Sequence, residues 1–242
     1  MLSFSSHIPF SGLAFLAVCI FAAVHLWAQK ITCMDCISHS RFLSAGGGVA
    51  IAYVFIDLLP KLSKNSSLVQ SSLEAVFPYF ERHVYVMALA GFLLFFAVDR
   101  SQVILKNPHG FFWLSISSYA LFNFLVGYAV VDPENPEVQP LFLFTFAMAL
   151  HYFMNDFALS EAHGNQYRHF GKWLLMASLF LGWFAGLQMQ LSQTAVALVS
   201  AFIGGGVIMN VTRHELPSDN PHSLGAFLLS ALLYSIILLS IG

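Results

Sequence analysis

Eight apolar runs, each close to the length that crosses a bilayer, leave this chain of 242 residues few ways to fold. They are Phe10–Ala28, Phe42–Leu59, Val84–Val98, Phe111–Val131, Leu141–Leu159, Trp173–Met189, Thr194–Val211 and Leu224–Ile241. A hydrocarbon core about 30 Å thick takes about 20 helical residues. Inside it, backbone N–H and C=O groups find no water, so a spanning segment is a helix or part of a closed barrel. These runs lack the alternation of barrel strands, and each is expected to be a helix. Val84–Val98 is the shortest and is expected to reach back through Glu81 and Arg82 into the interface.

Composition removes the competing classes. Hydrophobic residues make up 58% of the chain and charged ones 9%, with a mean hydropathy of +0.74; a soluble domain carries about 25% charged residues. Ten basic residues against twelve acidic ones leave no positive surplus, so nucleic acid is not an expected partner. Three cysteines do not make a disulfide scaffold. No Lys or Arg precedes the first run and no small-residue cleavage site follows it, so it is expected to stay as a span. No nucleophile stands with a base, and an enzyme is not expected. The expected partner is the lipid bilayer, in a multi-pass protein of the cell (inner) membrane.

Basic residues set the orientation, because Lys and Arg are retained on the cytoplasmic side. With both termini outside, the inner loops hold Lys30, Arg41, Arg100, Lys106, Arg168, Lys172 and Arg213, and the outer ones hold Lys61, Lys64 and Arg82. The acidic segment Asp132–Pro140, with Asp132, Glu134, Glu137 and no basic residue, then falls outside as well.

Two segments repeat a pattern. Gly46-Gly47-Gly48 leads to Asp57 and Pro60, and Gly204-Gly205-Gly206 leads to Glu215 and Pro217; each acid comes nine residues after its last glycine. Three glycines permit close helix contact or a local break, and the proline is expected to end the helix. In the orientation above the two copies run in opposite directions, which makes them an inverted repeat, a construction used by secondary transporters around a midplane site. The single transmembrane domain 1–242 then divides into repeat one (1–100, helices one to three), a central pair (110–163, helices four and five) and repeat two (172–242, helices six to eight).

Ionisable residues at membrane depth are costly and mark function by default. The fifth run and its inner end carry His151, Asn155, Asp156 and His163, and the fourth carries Asn123 at matching depth. His151 and Asn155 are four apart on one helix face. A neutral imidazole, a carboxylate and amide oxygens can hold a borderline divalent cation; His or Asp can equally relay a proton, and a structural hydrogen bond between His151 and Asn123 accounts for the pair as well. Cys33, Cys36 and His39 in the first inner loop have the spacing of a soft-metal or redox site, with two plain thiols as the simpler reading.

With these residues in place, the chain resembles the ZIP (Zrt/Irt-like) family of divalent metal transporters over nearly its whole length. Ser44 to Pro60 resembles that family's second helix and Phe202 to Pro217 its seventh; Tyr119-Ala120-Leu121-Phe122-Asn123-Phe124-Leu125-Val126-Gly127 resembles its fourth-helix motif, and Ala149 to Asp156 its fifth-helix motif. The resemblance implies an all-α integral membrane fold of eight helices in a 3+2+3 arrangement, both termini outside, and transport of zinc or another late first-row metal. It places His151, Asp156, Asn123 and Asn155 at the metal site and Asp57, Glu215 and His163 along the pathway or gate, and by analogy it implies a homodimer. The departures fall on the ligands. Phe122 stands where the family has His, Val126 where it has an acid, Tyr152 where it has Glu, Asn155 where a bridging acid or His is usual, and the sixth helix offers Gln188 and Gln190 but no carboxylate. One Asp cannot offset two divalent ions. The expectation is therefore at most one weakly held ion, Zn²⁺ or similar, as substrate with no tightly bound cofactor; the alternative is a non-transporting membrane protein serving as a sensor, subunit or partner-binding scaffold.

Topology is directly testable. A cysteine introduced between Asp132 and Pro140 is expected to react with an impermeant thiol reagent applied outside, while Cys33 and Cys36 stay protected; the reverse pattern would overturn the orientation.

Overall fold

The computed structural model describes residues 10–28, 36–73, 82–105, 107–131, 138–189, 192–215 and 221–241. Among them there is no strand, and nine α-helices alternate with three π-helical turns. Helix α1 is Phe10–Trp27 and α2 is Cys36–Tyr53, which runs through a π turn, Val54–Leu58, into α3, Leu59–Leu73. Then come α4 (His83–Ile104), α5 (Pro108–Ala129) and α6 (Val138–Gln166), a second π turn (Tyr167–Gly171), α7 (Lys172–Gln188) and α8 (Gln193–Asn210). A third π turn (Val211–Glu215) precedes α9 (Pro221–Ile241). All eight apolar runs are thus helical through their cores.

Six helical stretches are long and apolar enough to cross a membrane: Phe10–Trp27, Ser40–Lys64, His83–Ile104, Pro108–Ala129, Leu141–Gln188 and Gln193–Arg213. Leu141–Gln188 covers 48 residues. It is not straight, because Gly164 inside it has φ 51° and ψ −121°, a backbone conformation closed to residues with a Cβ. The apolar part of α9, Leu224–Ser240, is shorter.

Local sequence explains several boundaries. Asn107 caps α5 by accepting from the His109 N–H at 3.0 Å, and Pro108 takes the first helical position, where no N–H is needed. Ser192 caps α8 through the Ala195 N–H. Two expectations are corrected. The helix of the third run starts at His83, with Arg82 as its N-cap and outside the helix, and lengthens at its other end to Ile104; Glu81 lies outside the described residues. Pro60 does not end the second helix. The wider π turn, closed by the Leu59 N–H donating to the Val54 carbonyl, comes just before Pro60, so the ring sits near the start of α3, where its missing N–H costs least. Helix α3 then continues to Leu73; Pro217 and residues 74–80 lie outside the described residues.

Packing is organised by glycines. A Cβ on Gly48 would strike the Phe227 carbonyl of α9; one on Gly205 would strike the Ala88 carbonyl of α4, and one on Gly91 the Phe202 carbonyl of α8. Between α5 and α7, Gly127 faces the Leu179 carbonyl and Gly182 the Phe124 carbonyl. The closest helix pairs are accordingly α2 with α9, α4 with α8 and α5 with α7, while α1 lies on α6 and α7, α2 on α6, and α8 on α5. The glycine triplets serve contact; the helices run unbroken through them and widen only at the π turns that follow.

The distribution of polarity is that of a protein in an apolar solvent. Leu228, Leu232 and Leu239 of α9, Leu89 and Leu93 of α4, and Leu181 and Phe184 of α7 are exposed. His25, Asn123, His151, Asn155, Asp156 and Asn210 are buried. An apolar exterior around a polar interior fits a multi-pass membrane protein.

Enlarging Gly205 to Val should wedge α8 from α4, with a cost of about 3 kcal/mol or more because the obstacle is backbone. Gly225, whose Cβ would meet nothing within 4 Å, provides the control as Gly225→Ala. Thermal unfolding in detergent is expected to fall steeply for the first variant and to stay put for the second.

Candidate functional site

The centre of the buried polar region is a histidine from the first helix. His25 Nδ1 lies 2.8 Å from both Asp156 oxygens, and its Nε2 lies 2.9 Å from Asn123 Oδ1. Three helices meet here: α1 brings His25, α5 Asn123 and α6 Asp156. A fourth contribution comes from the second π turn, where the Tyr167 hydroxyl donates to Asp156 Oδ1 at 2.5 Å. His25, Asp156 and Tyr167 are each fully buried.

The bonds around Asn123 fix the protons of the group. Asn123 Nδ2 donates to the Tyr119 carbonyl at 2.9 Å, so its Oδ1 is the atom that faces His25 and must accept. His25 Nε2 therefore carries a hydrogen. The bond between Nδ1 and Asp156 needs one more proton, which sits on the imidazole as an ion pair or on the carboxyl as a neutral pair; both arrangements are neutral overall. A lone carboxylate in these surroundings would carry a desolvation cost of several kcal/mol, on the order given for buried ions.

His151 and Asn155 form a separate pair. Asn155 Nδ2 lies 3.1 Å from His151 Nε2, so the amide donates and that ring nitrogen accepts. Four positions on one helix bring the two together, as their spacing predicts. The hydrogen bond considered between His151 and Asn123 gives way to these two arrangements: Asn123 turns to His25, and His151 turns to its own helix. The Phe122 ring centroid lies 5.9 Å from that of His151 and 6.2 Å from that of Tyr152. Tyr152, where the resemblance would place Glu, packs on His25 with centroids 5.1 Å apart. Its hydroxyl has no hydrogen-bond partner among the described residues. On the α8 side Tyr119 donates to Asn210 Oδ1 at 3.2 Å, and Asn210 is buried.

The four residues expected at a metal site thus divide between two hydrogen-bonded groups. Asn123 and Asp156 join His25, and His151 joins Asn155. Among the described residues no three His, Cys, Asp or Glu side chains are grouped to hold a metal ion. Asp57, in the first π turn, pairs with Lys61 at 2.9 Å one turn on. His163 packs against the rings of Phe111 and Phe112 at 5.0 and 5.3 Å. Glu215 closes the third π turn and Cys36 and His39 lie in the first turns of α2, while Cys33 falls outside the described residues, as does Gln190.

His25, Tyr167 and Asn210 are absent from the sequence expectations. His25 carried the same signal as His151, an ionisable side chain in an apolar run; its partner stands 131 residues away, a separation that no local spacing reveals. No protein-family model matches the chain, and no curated protein matches it.

Replacing His25 with Leu removes the partner of a buried acid and is expected to cost about 3–5 kcal/mol of stability. In a double-mutant cycle with Asp156→Asn, unfolding should show the pair loss to be less than additive. Strict additivity would mean that the two side chains do not act together.

Proposed function

We propose that this chain is a ZIP-like membrane transporter of divalent metal ions, zinc or another late first-row metal, with eight spans in a 3+2+3 arrangement, both termini outside and a site that takes at most one ion at a time. The observation that carries this reading is the pattern of helix partners. Exchange α1 with α7, α2 with α8, α4 with α9 and α5 with α6. The pair α2 and α9 becomes α8 and α4; α1 and α6 becomes α7 and α5; α2 and α6 becomes α8 and α5. Each of these is itself a contact in the structure. An inverted repeat generates such a correspondence, and the matched glycine triplets, each followed by a π turn, agree with it.

The same elements support a count of eight spans. At about 1.5 Å per residue a 48-residue helix is more than twice as long as the hydrocarbon core is thick, so the break at Gly164 divides Leu141–Gln188 into two crossings. The apolar stretch of α9 adds the last.

In an inverted-repeat transporter the cargo site lies where the halves meet. The cluster of His25, Asn123 and Asp156, between α1 of the first repeat and the central helices, is assigned to that role and offers an imidazole nitrogen, a carboxylate and an amide oxygen. That mixture suits a borderline cation better than Mg²⁺, which asks for an all-oxygen shell. An entering ion has to displace the proton shared by His25 and Asp156, which keeps binding weak. His151 and Asn155 form a neighbouring station, and Asp57, Glu215 and His163 are assigned to the pathway or gate.

The second reading, a non-transporting membrane protein used as a sensor, subunit or scaffold, is favoured by one observation: both ring nitrogens of His25 and the Nε2 of His151 are already engaged. Reconstitution into liposomes decides between them. The transporter reading expects saturable Zn²⁺ uptake by the parent that falls at least tenfold, about the weight of one charged contact, in Asp156→Asn. Uptake no greater than through protein-free vesicles would leave the scaffold reading.

A further inference from the structure

We propose that Tyr167 sets how loosely the cargo is held, by competing with the ion for the one carboxylate of the cluster; this rests on the transport reading above. One shared proton joins His25 Nδ1 to the Asp156 carboxyl, both of whose oxygens lie 2.8 Å from that nitrogen, and the Tyr167 hydroxyl donates to Oδ1 as a second partner. A hydrogen bond to an ionised acceptor is short and strong, and it draws on the same negative charge that would attract a cation. Each donor already seated on Asp156 therefore lowers what an arriving ion gains. A transport site needs that weakness, because binding must be strong enough to admit the ion and weak enough to release it.

The backbone is shaped to deliver this hydroxyl. Gly164 breaks α6 with a positive φ, and the π turn Tyr167–Gly171 then turns the chain toward α7. Arg168, His169 and Phe170 are exposed, while Tyr167 and Gly171 are buried. A Cβ on Gly171 would run into the Tyr167 ring and the Ile116 side chain, so the glycine leaves room for the ring. Tyr167 thereby reaches back to an acid eleven residues earlier. A tyrosine serving only as packing would have no need of a buried acceptor. One that merely propped Asp156 in place would strengthen cargo binding, which is the opposite of the effect proposed.

The purified full chain is compared as parent, Tyr167→Phe and Gly164→Ala, with Zn²⁺ binding measured by calorimetry in detergent and Zn²⁺ uptake measured in liposomes. Tyr167→Phe is expected to tighten binding about tenfold, the loss of one donor to a charged group. Half-saturation of uptake should fall with it, and the maximal rate should fall too as release slows. Gly164→Ala strains the turn without touching the cluster and should move both quantities the same way by less; it also carries the test if Tyr167→Phe fails to fold. Unchanged or weaker binding in the folded variants overturns the role of Tyr167. Binding by the parent without uptake overturns the transport reading alone, and the affinity comparison still decides Tyr167. No binding by the parent overturns both.

Discussion

An acid buried among apolar helices must be given donors or a proton, and His25 meets that need at Asp156. That single contact ties α1 to α6 across most of the chain, and Asn123 completes it by fixing which atom of its amide the imidazole meets. The rotation of α1 follows. Ala14, Ala17, Val18, Phe21, Ala22 and His25 are its buried face, so the polar contact and the apolar stripe lie on the same side of the helix. Turning α1 to release His25 would also expose Phe21, which packs edge-on against Phe144 and Tyr152. Polar specificity and apolar packing here hold one geometry in place together.

Glycine supplies the complementary constraint. In lipid there is little hydrophobic gain in bringing one apolar helix to another, so association depends on close fit. The pairs α4 with α8 and α5 with α7 each have a glycine on both partners, which lets backbone approach backbone from either side. Bulky side chains are then displaced to the outer surface, where Leu, Ile and Phe predominate. A tightly built interior and an oily exterior are thus two results of the same placement of small residues.

Much of this was legible in the sequence. Apolar run length identified the helices because, without water, a run of that length has hardly any other backbone solution. The glycine triplets were legible as points of close contact or of a break, and the i to i+4 spacing placed His151 and Asn155 on one helix face, while their hydrogen bond to each other was not foreseen. Reading failed where geometry depends on distant residues. Asn123 and Asp156 were recognisable as buried polar groups, but the histidine that joins them is supplied by another helix. Pro60 read as a stop because the π turn that accommodates it has no sequence signature of its own. Tyr167 stands beside the exposed Arg168 and His169 and carries no sequence sign of being buried; the break at Gly164 and the π turn that follows are visible only in the structure.

The π turn before α3 has a consequence for helix phase. Phe55 and Leu62 are seven residues apart and would share a face on a continuous α-helix, yet Phe55 is 56% exposed and Leu62 only 2%. The additional residue in the turn rotates everything after it by about 100° relative to a regular helix. It is this offset that points Leu62 and Val69 into the core and leaves Lys61 and Lys64 outside. Residue count between Tyr53 and Leu59 therefore matters more than residue identity: a substitution there changes one side chain, whereas a one-residue deletion would turn the whole of α3 by about 100° and carry Leu62 and Val69 off the core.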